Sequence, residues 1–301
     1  MGDAPGRAAD SGQPVAGSRQ PAASSGQYSA DSEPQAAASG QPAAVSGQPT
    51  VDGAAASNRP VRRGPDAPDL SEKGGLKGGQ PQRSDERLFM QLFAFGGCID
   101  PKAVGPHLAD ADVTGVVYED LNDPRGVAVL ALSRIPSFFL DVLRPALSSG
   151  PFAALAQKPE YTMFGRTYAL GYEPDLDEVL FHRPTRTVLN PAWPWAVWYP
   201  LRRNGRFAQL PPEEQRVILA EHGAIGMSFG AADLAHDIRL ACHGLDARDN
   251  DFIVGLIGKD LHPLSAVVQA MRKTQQTSLY LDRLGPFFVG RAVWQARRDS
   301  L

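Results

Sequence analysis

Two segments of this chain, about 125 residues apart, spell out the same succession of strand, helix, hairpin, helix and closing strand. In the first, Leu88 to Phe95 is a short run of large apolar residues stopped by Gly96-Gly97, which predicts a buried strand. A short helical stretch follows from Pro101 to Leu108. Gly115 to Asp120 and Gly126 to Ser133 are rich in β-branched residues and flank the turn-forming Asn122-Asp123-Pro124-Arg125, so they predict a hairpin. Pro136 opens a helix with Phe138, Phe139, Val142, Leu143 and Leu147 at helical spacing, and Thr167 to Tyr172 is the expected closing strand.

The second copy starts with a strand from Trp195 to Leu201. Pro211-Pro212-Glu213-Glu214 then begins a helix, where proline lacks only a donor that has no partner and acids favour the positive end of the dipole. Gly223, directly after His222, is its expected stop. Asp237 to Cys242 and Asp251 to Ile257 are the next two strands, Pro263 to Met271 a helix and Phe287 to Trp294 the last strand. The predicted fold class is therefore α+β, with tandem ferredoxin-like halves of order β-α-β-β-α-β at about 86–185 and 186–301. Antiparallel sheets covered by helices on one face must bury the other, either by packing together or by curling into a barrel.

Residues 1–84 contain a single aromatic, Tyr28, and every Phe and Trp lies beyond residue 85. Such a segment buries too little apolar surface to offset its chain entropy, so a disordered tail is expected over 1–85. Its Ser-Gly-Gln repeats at Ser11, Ser25, Ser39 and Ser46 have linker composition. A net charge of −3 gives no excess of one sign for nucleic acid or a membrane surface, and nucleic acid is disfavoured as a partner. With neither an apolar stretch of signal-peptide length near Met1 nor a run long enough to span a bilayer, the expected location is the cytoplasm. The two cysteines, Cys98 and Cys242, make neither a disulfide framework nor a CxxC zinc site.

No Gly-rich phosphate loop, HExxH or GxSxG occurs, which leaves nucleotide-driven, zincin and hydrolase chemistry without their usual mechanics. What stands out is His222, in Glu221-His222-Gly223-Ala224-Ile225-Gly226, and an oxidisable Tyr199 in Tyr199-Pro200-Leu201-Arg202-Arg203. Alone, each has a bland structural role: a histidine favoured at a helix end and a strand aromatic with a satisfied hydroxyl. Together with Leu210-Pro211-Pro212-Glu213-Glu214-Gln215-Arg216, Ser278-Leu279-Tyr280 and Gly285-Pro286-Phe287-Phe288-Val289-Gly290, they form a joint pattern. It resembles the haem-binding half of the chlorite dismutase superfamily, and most of all its coproheme decarboxylase branch.

The resemblance covers about residues 88 to 295 and implies haem b or iron coproporphyrin III as cofactor or substrate, with hydrogen peroxide as oxidant. It makes His222 the axial iron ligand and Tyr199 the catalytic residue that takes a hydrogen from a propionate chain, while Arg203 and Ser278 hold propionates. On the opposite side of the porphyrin it leaves three positions open. Chlorite-degrading members carry an Arg about thirteen residues beyond the ligand, where this chain has Ala235; counting back from Asp251 selects Arg239, a catalytic candidate that can also simply pair with Asp237 or Asp246. His236 and His243 are alternatives for proton transfer. Ile257 stands where chlorite dismutases usually place an acid behind the ligand, a departure shared with decarboxylases. A homo-oligomeric ring, commonly of five subunits, is implied as well. The alternatives are a chlorite dismutase or haem peroxidase, a haem-binding module without turnover, and a haem-free protein that uses the same scaffold.

Overall fold

The computed structural model describes residues 67–297. Most of the expected tail lies outside that range, but the boundary at residue 85 is too late. β1 (Glu72–Lys77) and β2 (Gln80–Ser84) form an antiparallel hairpin. Its polar composition hid it, because side-chain and backbone hydrogen bonds rather than apolar burial hold it. The Glu72 carboxylate accepts from Arg87 Nε at 2.8 Å, Arg166 Nη1 at 2.9 Å and the Ala169 amide at 3.0 Å.

The first half runs β3 (Phe89–Gly96), α1 (Val104–Asp110), β4 (Gly115–Asp120), β5 (Val127–Ser133), a π-helical turn Phe139–Leu143 leading into α2 (Arg144–Ala146), the two-residue β6 (Ala156–Gln157) and β7 (Met163–Arg166). A segment absent from the sequence expectation follows, a π-helical turn Glu178–His182 continuing as α3 (Arg183–Val188). The second half is β8 (Trp195–Arg203), α4 (Gly205–Ala208), α5 (Pro212–Ala231), β9 (His236–Ala241), β10 (Phe252–Gly258), α6 (Leu261–Met271), α7 (Gln275–Leu279), β11 (Leu281–Leu284) and β12 (Phe288–Ala296).

The closing strand of the first half is β7, not Thr167 to Tyr172. The reason is local: the Glu173 carboxylate accepts from the amides of Leu170, Gly171 and Tyr172 at 2.5, 2.9 and 3.0 Å, so these donors are committed to a turn. Hydrogen-bonded neighbours run β10-β9-β7-β3-β5-β4-β12-β8, and β8 pairs back onto β10 from Phe252↔Leu201 to Gly258↔Trp195. The sheet is thus a closed barrel, and closure removes the free edges that two separate sheets would expose. Within each half the order is that of a ferredoxin-like unit, confirming the predicted tandem plan.

Strand alternation sends Met90, Leu92, Tyr118, Leu130, Trp198, Leu240, Ile253 and Phe288 into the barrel. Outside, the first half is covered by α1 through Val104 and Leu108 and by the π-helical turn before α2 through Phe139 and Leu143. The outer face of the second half carries Val197, Tyr199, Leu201 and Leu256 toward α5 and α6. Cys98 and Cys242 are both buried and free; burial, with Asp246 and Asp251 nearby, pushes the Cys242 thiol up to about 12. No helix among the described residues is long and apolar enough to cross a membrane.

Candidate functional site

α5 does not stop at Gly223. It continues for two more turns to Ala231, so His222 lies in its middle rather than at its end. Each interior glycine costs a helix about 1 kcal/mol relative to alanine, yet Gly223, Gly226 and Gly230 all lie within it. Their spacing puts them on the strip that faces a cavity, alongside His222, Met227 and Ala231. A Cβ added at Gly223 would meet nothing within 4 Å, and one at Gly226 only Met271 Cε at 3.6 Å. The glycines therefore leave a flat open floor beside the imidazole.

The cavity has a volume of about 430 Å³, within the range of roughly 300 to 1,000 Å³ usual for ligand pockets. Its far wall is the outer face of the barrel: Tyr199 and Leu201 from β8, Val254 and Leu256 from β10, Asp237 and Arg239 from β9. Apolar side chains of Trp193, Val268, Met271, Leu281 and Leu284 complete it, and Arg183, Arg186, Arg272 and His236 bring positive or proton-binding groups to its lining.

His222 is half-buried. Its Nδ1 lies 3.2 Å from Thr274 Oγ1, whose own proton goes to the Met271 carbonyl at 2.8 Å. Burial, followed by the cations of Arg239 and Arg203, holds the imidazole below its ordinary pKa, against the pull of Asp237 and Glu221. The ring is thus a neutral nitrogen base. Tyr199 is 4% exposed, and its ring stacks on Phe287 at 4.6 Å. Burial, aided by Asp237, raises its pKa, so the group facing the cavity is an un-ionised phenol.

Four of the sequence-selected residues, His222, Tyr199, Arg239 and His236, come together on this one cavity. Arg239 combines both expectations for it: it lines the cavity and its Nε pairs with Asp237 at 3.0 Å. His236 also lines it, stacked on Trp193 at 3.6 Å with Nε2 on Asp233 at 2.9 Å. Arg203 and Ser278 do not line it. The Arg203 guanidinium is held between the rings of Phe207 and Phe252, at 4.8 and 4.7 Å. Ser278 donates to the Thr274 carbonyl at 2.8 Å and lines an adjoining shallow pocket with Arg272 and Arg283. Ala235 is buried among apolar side chains, His243 sits 3.7 Å from Asp251 away from the cavity, and Ile257 faces the barrel interior.

Sequence reasoning missed Thr274, the glycines beyond Gly223, and the cations Arg183, Arg186 and Arg272. Only the glycine spacing left a readable trace, since i, i+3 and i+7 positions share a helix face. Arg186 is bound to Glu178 at 2.6 Å, whereas Arg183 and Arg272 form no ion pair among the described residues. A planar macrocycle with an acidic edge suits these features: an open glycine floor, one neutral imidazole, an apolar wall and unpaired guanidinium groups.

A family model for chlorite dismutase matches residues 130–293. No curated protein matches the chain significantly. Among solved structures it is similar to a heme-binding protein from Thermus thermophilus, with 19% identity and a TM-score of 0.55 over 69% of this chain and 91% of that one. It is likewise similar to chlorite dismutase from Candidatus Nitrospira defluvii in complex with imidazole, with 14% identity and a TM-score of 0.54 over 69% and 92%. These likenesses show a shared fold. The matched segment spans more than half of the chain and includes His222, Tyr199, Arg239 and Thr274, and the chain belongs to the chlorite dismutase family.

Proposed function

We propose that this protein binds an iron porphyrin through His222 and, with hydrogen peroxide, oxidatively decarboxylates iron coproporphyrin III to haem b. The observation that carries this reading is the pairing, across one cavity, of a neutral imidazole and a buried phenol, with basic side chains in the same lining. Among the described residues no group of three or more His, Cys, Asp or Glu could hold a bare metal ion. Iron in a macrocycle brings most of its ligands with it and asks only one axial nitrogen of the protein, which His222 offers.

When bound, the iron porphyrin supplies the redox chemistry with peroxide. The chain's own contributions are separate. His222 holds the metal from the α5 side. Tyr199, kept un-ionised by burial, gives up a hydrogen atom and regains one from the carbon chain of a propionate. Each peroxide with one proton removes two electrons from one propionate, whose carboxylate leaves as carbon dioxide while its other two carbons remain on the ring as a vinyl group and two waters form. Arg183, Arg186 and Arg272 orient the acidic edge, with Ser278 in the adjoining pocket; Arg203, held between Phe207 and Phe252, acts on the site only through its charge.

The test is to mix ligand-free protein with iron coproporphyrin III, titrate peroxide and follow mass. The expected course is a three-propionate intermediate, then haem b. Tyr199→Phe should keep porphyrin binding and lose decarboxylation; full retention of turnover would defeat the assignment. Charge-assisted hydrogen bonds contribute about 1.5 to 3 kcal/mol, so Arg272→Gln should weaken coproporphyrin binding roughly tenfold or more, measured by fluorescence quenching or absorbance titration.

A second reading, chlorite or general peroxide turnover, is favoured by Arg239, which Asp237 holds at the cavity. Oxygen release from chlorite that Arg239→Ala abolishes would promote it. Binding without loss of propionates or any turnover would leave a haem-binding module. The proposal includes a cytoplasmic homo-oligomer, with five subunits as the expected ring, measurable by light scattering.

A further inference from the structure

We propose that Thr274 is the positioning residue that selects the tautomer of His222 and limits how strongly its ring donates to a bound metal. This rests on the reading of His222 as axial ligand. Thr274 is 2% exposed and sits in the link between α6 and α7. A hydroxyl has one proton, and Thr274 Oγ1 has two oxygen acceptors in reach: the carbonyl of Met271, the last residue of α6, at 2.8 Å, and Thr277 Oγ1 at 3.4 Å; the shorter contact assigns the proton to Met271. Toward His222 Nδ1, at 3.2 Å, the oxygen presents a lone pair. The imidazole must then carry its proton on Nδ1, which leaves the lone pair on Nε2, the nitrogen free to bind a metal.

The neighbouring residue reinforces this alignment. The Glu221 carboxylate accepts from the amide of Gln275 at 3.0 Å, so two consecutive residues of α5 clasp two consecutive residues at the start of α7. The ring is held in place without a formal charge behind it. A carboxylate partner draws the Nδ1 proton strongly and makes the ring a better electron donor; a threonine oxygen does so far less. Ile257 supplies no such charge, since its side chain packs inside the barrel.

The first measurement uses the ligand-free full chain, with side-chain ¹⁵N correlation spectra of His222 at pH 8. The Nδ1–H form is expected in the native protein and in Thr274→Ser, and a shift toward Nε2–H in Thr274→Val. The second loads the proteins with haem b and reads the ferrous iron–histidine stretching frequency. Thr274→Asp should raise it and Thr274→Val lower it, with haem affinity falling roughly 10-fold to 100-fold in the valine variant. An unchanged tautomer in folded Thr274→Val, or a frequency unmoved by both changes, overturns the proposal. If no variant, native included, takes up haem while the tautomer shifts as expected, the positioning role stands and the iron-ligand assignment fails.

Discussion

His222→Ala removes the Soret band that iron coproporphyrin or haem b gains on binding, with affinity falling more than about 100-fold, beyond the range for changes outside the ligand shell. The fold should hardly notice. The substitution deletes one hydrogen bond, of about 1 kcal/mol, from a half-buried position. Alanine returns about half of that as helix propensity, and Thr274 keeps its bond to Met271. Thermal unfolding should therefore shift by only a few degrees while binding disappears. The vacated space beside Gly223 and Gly226 is open to solvent-borne ligands, so added imidazole should restore part of the spectrum. A Soret band of unchanged position and affinity in His222→Ala would show that the metal is held elsewhere.

How much of this could be read from the amino-acid order differs between the scaffold and the site. β4 falls where the β-branched run places it, and the other barrel strands lie within a few residues of the expectation, except β7. The period-two pattern survives because both faces of the barrel wall are packed, so Trp198 and Tyr199 are each fixed to a side. The β7 error and the Gly223 error share a cause. In both, distant or unusual partners override a local rule: Glu173 gathers three amides of its own loop, and the glycine-bearing helix is clasped to α7 through Glu221 and His222. Glycine ordinarily ends a helix because nothing outweighs its entropy. Here it is tolerated where a side chain would intrude on the cavity. His222 and Tyr199 were legible because their chemistry is concentrated in one side chain each. Thr274 was not, since a threonine 52 residues away carries no mark of the imidazole it meets. The guanidinium groups of α3 were hidden too, because the helix that presents them lay in the expected connection between halves.

Adjacent residues on β8 offer the sharpest separation of scaffold from chemistry. Trp198 is fully buried inside the barrel and lies across the ladder from Gly255, where an added Cβ would come within 2.5 Å of the indole. The ring thus fills space that the opposite strand has vacated, and it has nowhere to move. Trp198→Ala should cost about 3 to 5 kcal/mol, a large part of the roughly 5 to 15 kcal/mol that holds a domain together. In urea the midpoint should fall with little change in slope. Tyr199, one residue on, points the other way, and Tyr199→Phe retains the stack on Phe287. Its stability should stay within about 1 kcal/mol of the native protein, while decarboxylation falls to background. A Trp198→Ala protein of native stability would mean that the barrel interior is not the packed core of this fold. A Tyr199→Phe protein that unfolds early would mean that the phenol serves the scaffold, and its lost activity would then say nothing about hydrogen transfer.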